Sequence, residues 1–200
     1  MLFHMQIKPG LDYLPNYLSI SQLNNILQDV QVALGNAPLF TPCMPRTGKK
    51  LSVSMSNMGN YGWVSDKSGG YRYQDYHPFT GNRWPQISDS ILKIWREVTN
   101  LVCKPDCCLI NFYNLQAKMG LHLDNDEKDF SYPVVSISIG NTALFRFGGQ
   151  KRSDKTQSIK LNNGDVLIMG QESRLIYHGI DRIYPSEIYD NRINLTLRKI

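Results

Sequence analysis

A chain of 200 residues is enough for one domain with a sizeable core, and no stretch approaches the roughly 20 consecutive apolar residues of a membrane helix. The formal net charge of +5 and a pI of about 9.0 favour a polyanionic partner such as nucleic acid. "MLFHMQIKPG" has no basic region followed by an apolar run, so the expected location is cytoplasmic, where the 4 cysteines would stay reduced.

Residues 19–34, "SISQLNNILQDVQVAL", predict a helix. Ile20, Leu23, Leu27, Val30 and Leu34 recur at helical spacing, with Ser19 or Ser21 as the N-cap. "KLSVSMSNMG" alternates as a strand does. Residues 57–84 read as a loop-rich segment in which tyrosines, Trp63 and Trp84 mix with glycines and basic residues. Residues 88–102 predict a second helix through Ile91, Leu92, Trp95, Val98 and Leu101 or Val102.

Beyond Pro105 the chain becomes a series of short β-branched or aromatic runs: "CLINFYNL", "PVVSISIG", "ALFRFGG", "QSIKLNNGDVLIMG" and "RINLTLRK". "NNGD" signals a hairpin. So many short strands predict a β-sandwich or jelly roll. Cys107 and Cys108 open one apolar run and are expected to be buried thiols. With Cys43 and Cys103 they lack the spacing of a zinc site.

His122 and Asp124 in "LHLD" are two residues apart and project from one face of a strand. His178, in "LIYHGI", is placed at the end of a strand-like run, which a jelly roll can bring to the same point. Two histidines and a carboxylate suit a non-haem Fe(II) site with open positions; a hydrogen-bonded structural histidine is the other reading of His178. An EF-hand reading of the acidic run fails, because Asp129 stands where glycine is required. Arg192 and Arg198 share a strand face with Asn194 and Thr196, and Asn111 and Tyr113 share another. These two sets could line an anion pocket or form ordinary polar faces. Glu127 and Asp129 read as a solvated turn.

"CLINFYN", "LHLDNDE", "VVSISIG", "FRFGGQKR", "NNGDVLIMGQESRLIYHGI" and "RINLTLR", in order from about residue 50 onward, resemble the bacterial AlkB-type Fe(II)/2-oxoglutarate dioxygenases. The resemblance implies a mainly β fold with flanking helices (α+β), as a single domain over residues 1–200. Its double-stranded β-helix (jelly-roll) core would span about residues 105–200, and a nucleotide-recognition lid about residues 50–85. It implies iron ligands His122, Asp124 and His178. It also implies a 2-oxoglutarate site of Asn111, Tyr113, Arg192, Asn194, Thr196 and Arg198, with Arg198 on the distal carboxylate and Arg192 near the proximal one. Trp63, Tyr71, Tyr73, Asp126 and Arg152 would meet the substrate. Leu123 and Met169 depart from the bacterial pattern, which has Gln and Trp there.

The implied activity is oxidative demethylation of 1-methyladenine and 3-methylcytosine, with dioxygen and 2-oxoglutarate consumed and succinate, carbon dioxide and formaldehyde released. The implied partner of this monomer is DNA, single-stranded or with a flipped base, with RNA as a further candidate and no membrane. Three alternatives remain open from the residues: the same chemistry on RNA, protein or a small molecule; a non-catalytic jelly-roll binding module; and a zinc hydrolase, which two inward arginines disfavour.

Overall fold

The computed structural model describes residues 4–200, so the first three residues of the N-terminal stretch read above lie outside it. Strands β1 (Met5–Lys8) and β2 (Leu11–Leu14) precede helix α1 (Ile20–Asn36). Strand β3 (Ser54–Gly59) and the β4 (Gly62–Asp66)–β5 (Gly70–Gln74) pair lead to helix α2 (Asp89–Thr99). Strands β6 (Cys107–Tyr113), β7 (Met119–His122), β8 (Val134–Gly140), β9 (Ala143–Phe147), β10 (Gln157–Leu161), β11 (Val166–Met169), β12 (His178–Ile183) and β13 (Arg192–Arg198) follow.

The strands form a seven-stranded sheet, in the order β1-β2-β11-β8-β13-β6-β3, and a four-stranded sheet, β10-β9-β12-β7. This is the expected mainly β, jelly-roll architecture. The alternation of β13 shows how it is filled. Leu195 and Leu197 point outward and pack with Ile26 and Val30 of α1 and Ile91 and Trp95 of α2. Arg192, Asn194, Thr196 and Arg198 point inward, toward a cavity between the sheets. Burying each large apolar side chain of the outer layer contributes about 1.5–3 kcal/mol, so the helices cover the outer face of the large sheet and leave the polar positions of its inner face free to build a site. The inner layer joins Leu109, Val134 and Met169 to Phe145, Phe147 and Ile180 of the small sheet.

Both helices form where the periodicity places them, with adjusted ends. Ser19 caps α1 in a capping box with Gln22. The buried stripe is Leu23, Ile26, Val30 and Ala33, whereas Ile20 is exposed. Helix α2 stops at Thr99 because Asn100 adopts a left-handed conformation, φ 56°; Val102 falls outside it and is exposed.

Three expectations are revised. "NNGD" makes a crossover instead of a hairpin, since β10 pairs with β9 while β11 joins β2 and β8. Asp165 is fully buried in this turn. Its carboxylate accepts from Tyr13 Oη at 2.6 Å, Asn16 N at 2.8 Å and Asn162 N at 2.7 Å, which draws the chain over to the large sheet. Residues 62–74 are an ordered antiparallel hairpin. The large sheet also recruits β1 and β2, besides β3 of the alternating stretch "KLSVSMSNMG", so the core reaches well upstream of residue 105. Cys107 and Cys108 are buried, and the described cysteines are free. Among the described residues no helix is long and apolar enough to cross a membrane.

Candidate active site

The cavity between the sheets, about 520 Å³, is lined by residues of both. His122 ends β7, Asp124 lies just past that strand, and His178 opens β12 instead of closing a run. Residues 122 and 178 are direct cross-strand partners. Gly179 permits this pairing: a Cβ there would stand 2.4 Å from Met119 O, so only glycine lets β7 lie this close. The ligand atoms of His122, Asp124 and His178 all lie within 4.8 Å of one another. His122 Nε2 is 3.6 Å from Asp124 Oδ1, and His178 Nε2 is 3.6 Å from Asp124 Oδ2.

The imidazoles are oriented from behind. His122 Nδ1 meets Gly120 O at 2.9 Å and His178 Nδ1 meets Ile176 O at 3.0 Å. A carbonyl only accepts, so each Nδ1 carries the proton and, in the neutral ring, each Nε2 offers a lone pair. Desolvation, then the neighbouring His178, lowers His122 to about 4, although 35% of its side chain remains open to the pocket mouth. Burial opposes ionisation of Asp124, but Arg198 and the two imidazoles outweigh it and hold the carboxyl well below its usual range. Two imidazoles that turn Nε2 toward the cavity and one carboxylate, with space on that side, are a fitting donor set for Fe(II).

The two arginines stand in different surroundings. Arg198 Nη2 lies 2.6 Å from Asp124 Oδ1. Arg192 is fully buried, donating from Nη2 to Ser138 Oγ at 2.9 Å and from Nη1 to the carbonyls of Asn141 and Leu161 at 3.3 and 3.4 Å. Among the described residues it forms no salt bridge. Burial pulls its pKa down to about 10, which still leaves it charged at neutral pH. Arg192 Nε is buried without a hydrogen-bond partner. A buried cation with a free donor and no ion pair suits a small anion, and a dicarboxylate spanning from the His122–Asp124–His178 cluster to Arg192 would satisfy it. Asn111 Nδ2 reaches Thr196 Oγ1 at 3.3 Å, Thr196 donates to Asn194 Oδ1 at 2.9 Å, and Asn194 Nδ2 donates to Ser136 Oγ at 2.7 Å. This chain fixes the polar wall between the arginines, with Tyr113 beside it.

At the mouth, Trp63 and Tyr71 stack with centroids 5.7 Å apart and planes 21° from parallel. Trp63 Nε1 donates to Asp126 Oδ2 at 2.7 Å. Arg152 also lines the cavity and sits over the Tyr177 ring, 5.7 Å from its centroid.

With this geometry in place, the chain can be set beside known proteins. A family model of the 2OG-Fe(II) oxygenase superfamily matches residues 10–198. The chain belongs to this superfamily. It is similar to an "Alpha-ketoglutarate-dependent dioxygenase AlkB homolog" of Caulobacter vibrioides (strain NA1000 / CB15N), 42% identical over 199 residues, covering 98% of this chain and 90% of the relative. It is also similar to the "Alpha-ketoglutarate-dependent dioxygenase AlkB" of Escherichia coli (strain K12), 37% identical over 182 residues, covering 87% of this chain and 83% of the relative. The solved structure of OsALKBH1 superposes with a TM-score of 0.81 at 32% identity, covering 98% of this chain and 100% of the other.

As a 2OG-Fe(II) oxygenase the chain is an enzyme that uses Fe(II), 2-oxoglutarate and dioxygen, and not the non-catalytic module weighed above. The superfamily match begins at residue 10, far upstream of the stretches that carried the resemblance.

Three residue expectations of this oxygenase are corrected. Arg198, expected at the distal carboxylate, is the arginine that contacts Asp124, whereas Arg192, expected near the proximal one, bonds instead to Ser138, Asn141 and Leu161. The strand direction decides this, because Arg198 is opposite Cys107 and Arg192 opposite Tyr113 on β6. Tyr73, expected to meet substrate, turns inward, its hydroxyl donating to Glu127 and accepting from Arg198 Nη1 at 3.1 Å. Glu127, read as part of a solvated turn, is buried and ion-paired. Asp129 does sit in an exposed turn, accepting from Ser131 N. Arg174 was not singled out by sequence. Its only sequence signal is its position four residues before His178.

Proposed function

We propose that this oxygenase is an oxidative demethylase of N-alkylated bases in nucleic acid, with DNA as first substrate and RNA as second. In this reading His122, Asp124 and His178 hold the iron. When bound, the iron with 2-oxoglutarate and dioxygen supplies the oxidising power to hydroxylate an N-methyl group, which is then lost as formaldehyde while 2-oxoglutarate becomes succinate and carbon dioxide.

The chain's own residues do the rest. Arg192 pairs with the far carboxylate of 2-oxoglutarate, and Tyr113 and Asn111 complete that end. Arg198 stands at the near end, beside Asp124. Trp63 and Tyr71 give a flat aromatic face on which an extruded base can lie. Asp126, held by the Trp63 indole, places a carboxylate at the edge of that face. 1-Methyladenine and 3-methylcytosine, alkylated on a ring nitrogen, are cationic at neutral pH, so the carboxylate favours the lesion over the neutral base. Arg152 and the overall positive charge serve the phosphates.

The observation that carries this reading is the Trp63–Tyr71–Asp126 group on the same cavity as the His122–Asp124–His178 cluster. The test is an oligonucleotide bearing 3-methylcytosine, incubated with Fe(II) and 2-oxoglutarate. Succinate and formaldehyde should appear in equal amounts. Turnover no greater than with the unmethylated oligonucleotide, with Fe(II) prepared anaerobically, would overturn the substrate assignment.

A further inference from the structure

Glu127 is the one acidic side chain near the cluster that neither holds metal nor meets substrate in the reading above. It is fully buried as a side chain, and so is expensive to ionise without partners. It has them on both sides. Arg198 Nη1 donates to Oε1 at 2.9 Å and Arg174 Nη2 donates to Oε2 at 3.1 Å. Tyr73 Oη also donates to Oε1.

Both arginines go on to Asp124. Arg198 Nη2 meets the Asp124 carboxylate at 2.6 Å, and Arg174 Nη1 donates to the Asp124 carbonyl at 2.7 Å. Arg174 Nε is tied to Tyr132 O at 3.0 Å, so this guanidinium is fixed. The result is a buried group of two cations and two anions in which the carboxylates of Glu127 and Asp124 share Arg198, while Arg174 ties the Glu127 carboxylate to the Asp124 backbone.

A guanidinium held by one carboxylate can pivot toward it; one held by two, through different Nη atoms, is fixed in plane and in charge. We propose that Glu127 is a positioning residue for the metal site: by dividing Arg198 between two carboxylates it leaves Asp124 enough negative charge to bind a divalent cation and keeps the guanidinium from closing over it. Tyr73, on β5, holds the Glu127–Arg198 contact from the hairpin that carries Trp63 and Tyr71. This inference rests on the metal-ligand assignment proposed above.

The experiment is titration of Mn(II) into the full chain without oxygen or 2-oxoglutarate, following the free-ion electron paramagnetic resonance signal. Circular dichroism confirms the fold of each variant at the working temperature. Glu127→Gln keeps the shape and removes the charge, so Arg198 should turn wholly to Asp124 and Mn(II) affinity should fall about tenfold or more. Tyr73→Phe removes one hydroxyl from the same contact and should give a smaller loss, about two- to fivefold. It also serves if Glu127→Gln does not fold. Wild-type affinity in the folded variants, with only thermal stability reduced, would overturn the proposal by reducing Glu127 to a structural ion pair. His122→Ala separates the two levels: if it binds Mn(II) as the wild type does, the ligand assignment fails and this inference falls with it.

Discussion

Arg198 lies 2.6 Å from the carboxylate of Asp124, at the metal cluster. Six residues earlier on the same strand face, Arg192 is a buried cation without a salt bridge among the described residues. One arginine is therefore neutralised within the protein, and the other has no anionic partner among the described residues. This asymmetry distinguishes the two ends of the cavity.

Substituting Arg192 by Met should raise the KM for 2-oxoglutarate sharply. Loss of a charge-assisted contact costs about 1.5–3 kcal/mol, or roughly 10- to 150-fold. Steady-state kinetics with varied 2-oxoglutarate measure it, and an unchanged KM would remove Arg192 from the anion site.

The same unpaired cation should make the protein respond thermally to its cosubstrate. With Mn(II) in place and oxygen excluded, 2-oxoglutarate at 100 times its Kd stabilises by about 2.7 kcal/mol. For a domain of this size that is a rise in Tm of roughly 5–10 °C. Succinate, one carbon shorter and without the keto group, is expected to give less.

Gly179→Ala should separate β7 from β12, because the added Cβ meets backbone at Met119 O and not a movable side chain. The expected outcome is a folded protein with weakened divalent-metal affinity, read by the same Mn(II) titration. Retained affinity would show that β7 can shift without moving His122.

Asp126→Ala should lower turnover of methylated oligonucleotide more than it lowers 2-oxoglutarate decarboxylation in the absence of substrate. The carboxylate touches Trp63 at the mouth and not the metal cluster. Equal losses would assign Asp126 to the core chemistry instead of to the base.

Acid should destabilise the protein. Burial raises the Glu127 pKa, but Arg198, Tyr73 and Arg174 outweigh it and set it below the usual value. A carboxyl depressed in the folded state contributes stability that is present above its unfolded pKa and lost as pH falls through the folded one. Thermal unfolding of the metal-free protein followed downward from pH 6 should therefore show a falling Tm through and below the ordinary Glu range, with a shallower slope in Glu127→Gln.

Much of this was legible in the chain. The alternation of "RINLTLR" placed both arginines on one face, and the spacing of His122 and Asp124 offered them as a pair, although Asp124 lies just past β7 and the pair gains its meaning from His178, more than fifty residues away. The helical stripe of α1 was readable because it is buried on one side alone. What the sequence hid was non-local. Nothing in "NNGD" tells that Asp165 is bonded to Tyr13, some 150 residues away, which converts a hairpin signal into a crossover. Nor does "DNDE" tell which acid is buried. Asp126 and Glu127 are neighbours, yet one lies at the cavity mouth and the other between two arginines from distant strands and turns. The order of Arg192 and Arg198 relative to the metal likewise depends on β13 running antiparallel to β6, a pairing and not a motif.

The place of β13 in the large sheet has a consequence for how the protein comes into being. It lies between β6 and β8, both of which precede it in the chain. During synthesis those two strands each present an edge that has no neighbour until β13 arrives, and such edges invite mispairing. The strand that closes the gap also delivers both arginines. The central sheet is therefore closed, and the two arginines brought to the cavity, in a single late event: a ribosome stalled before residue 192 would carry a chain with His122, Asp124 and His178 already made but without either guanidinium beside them.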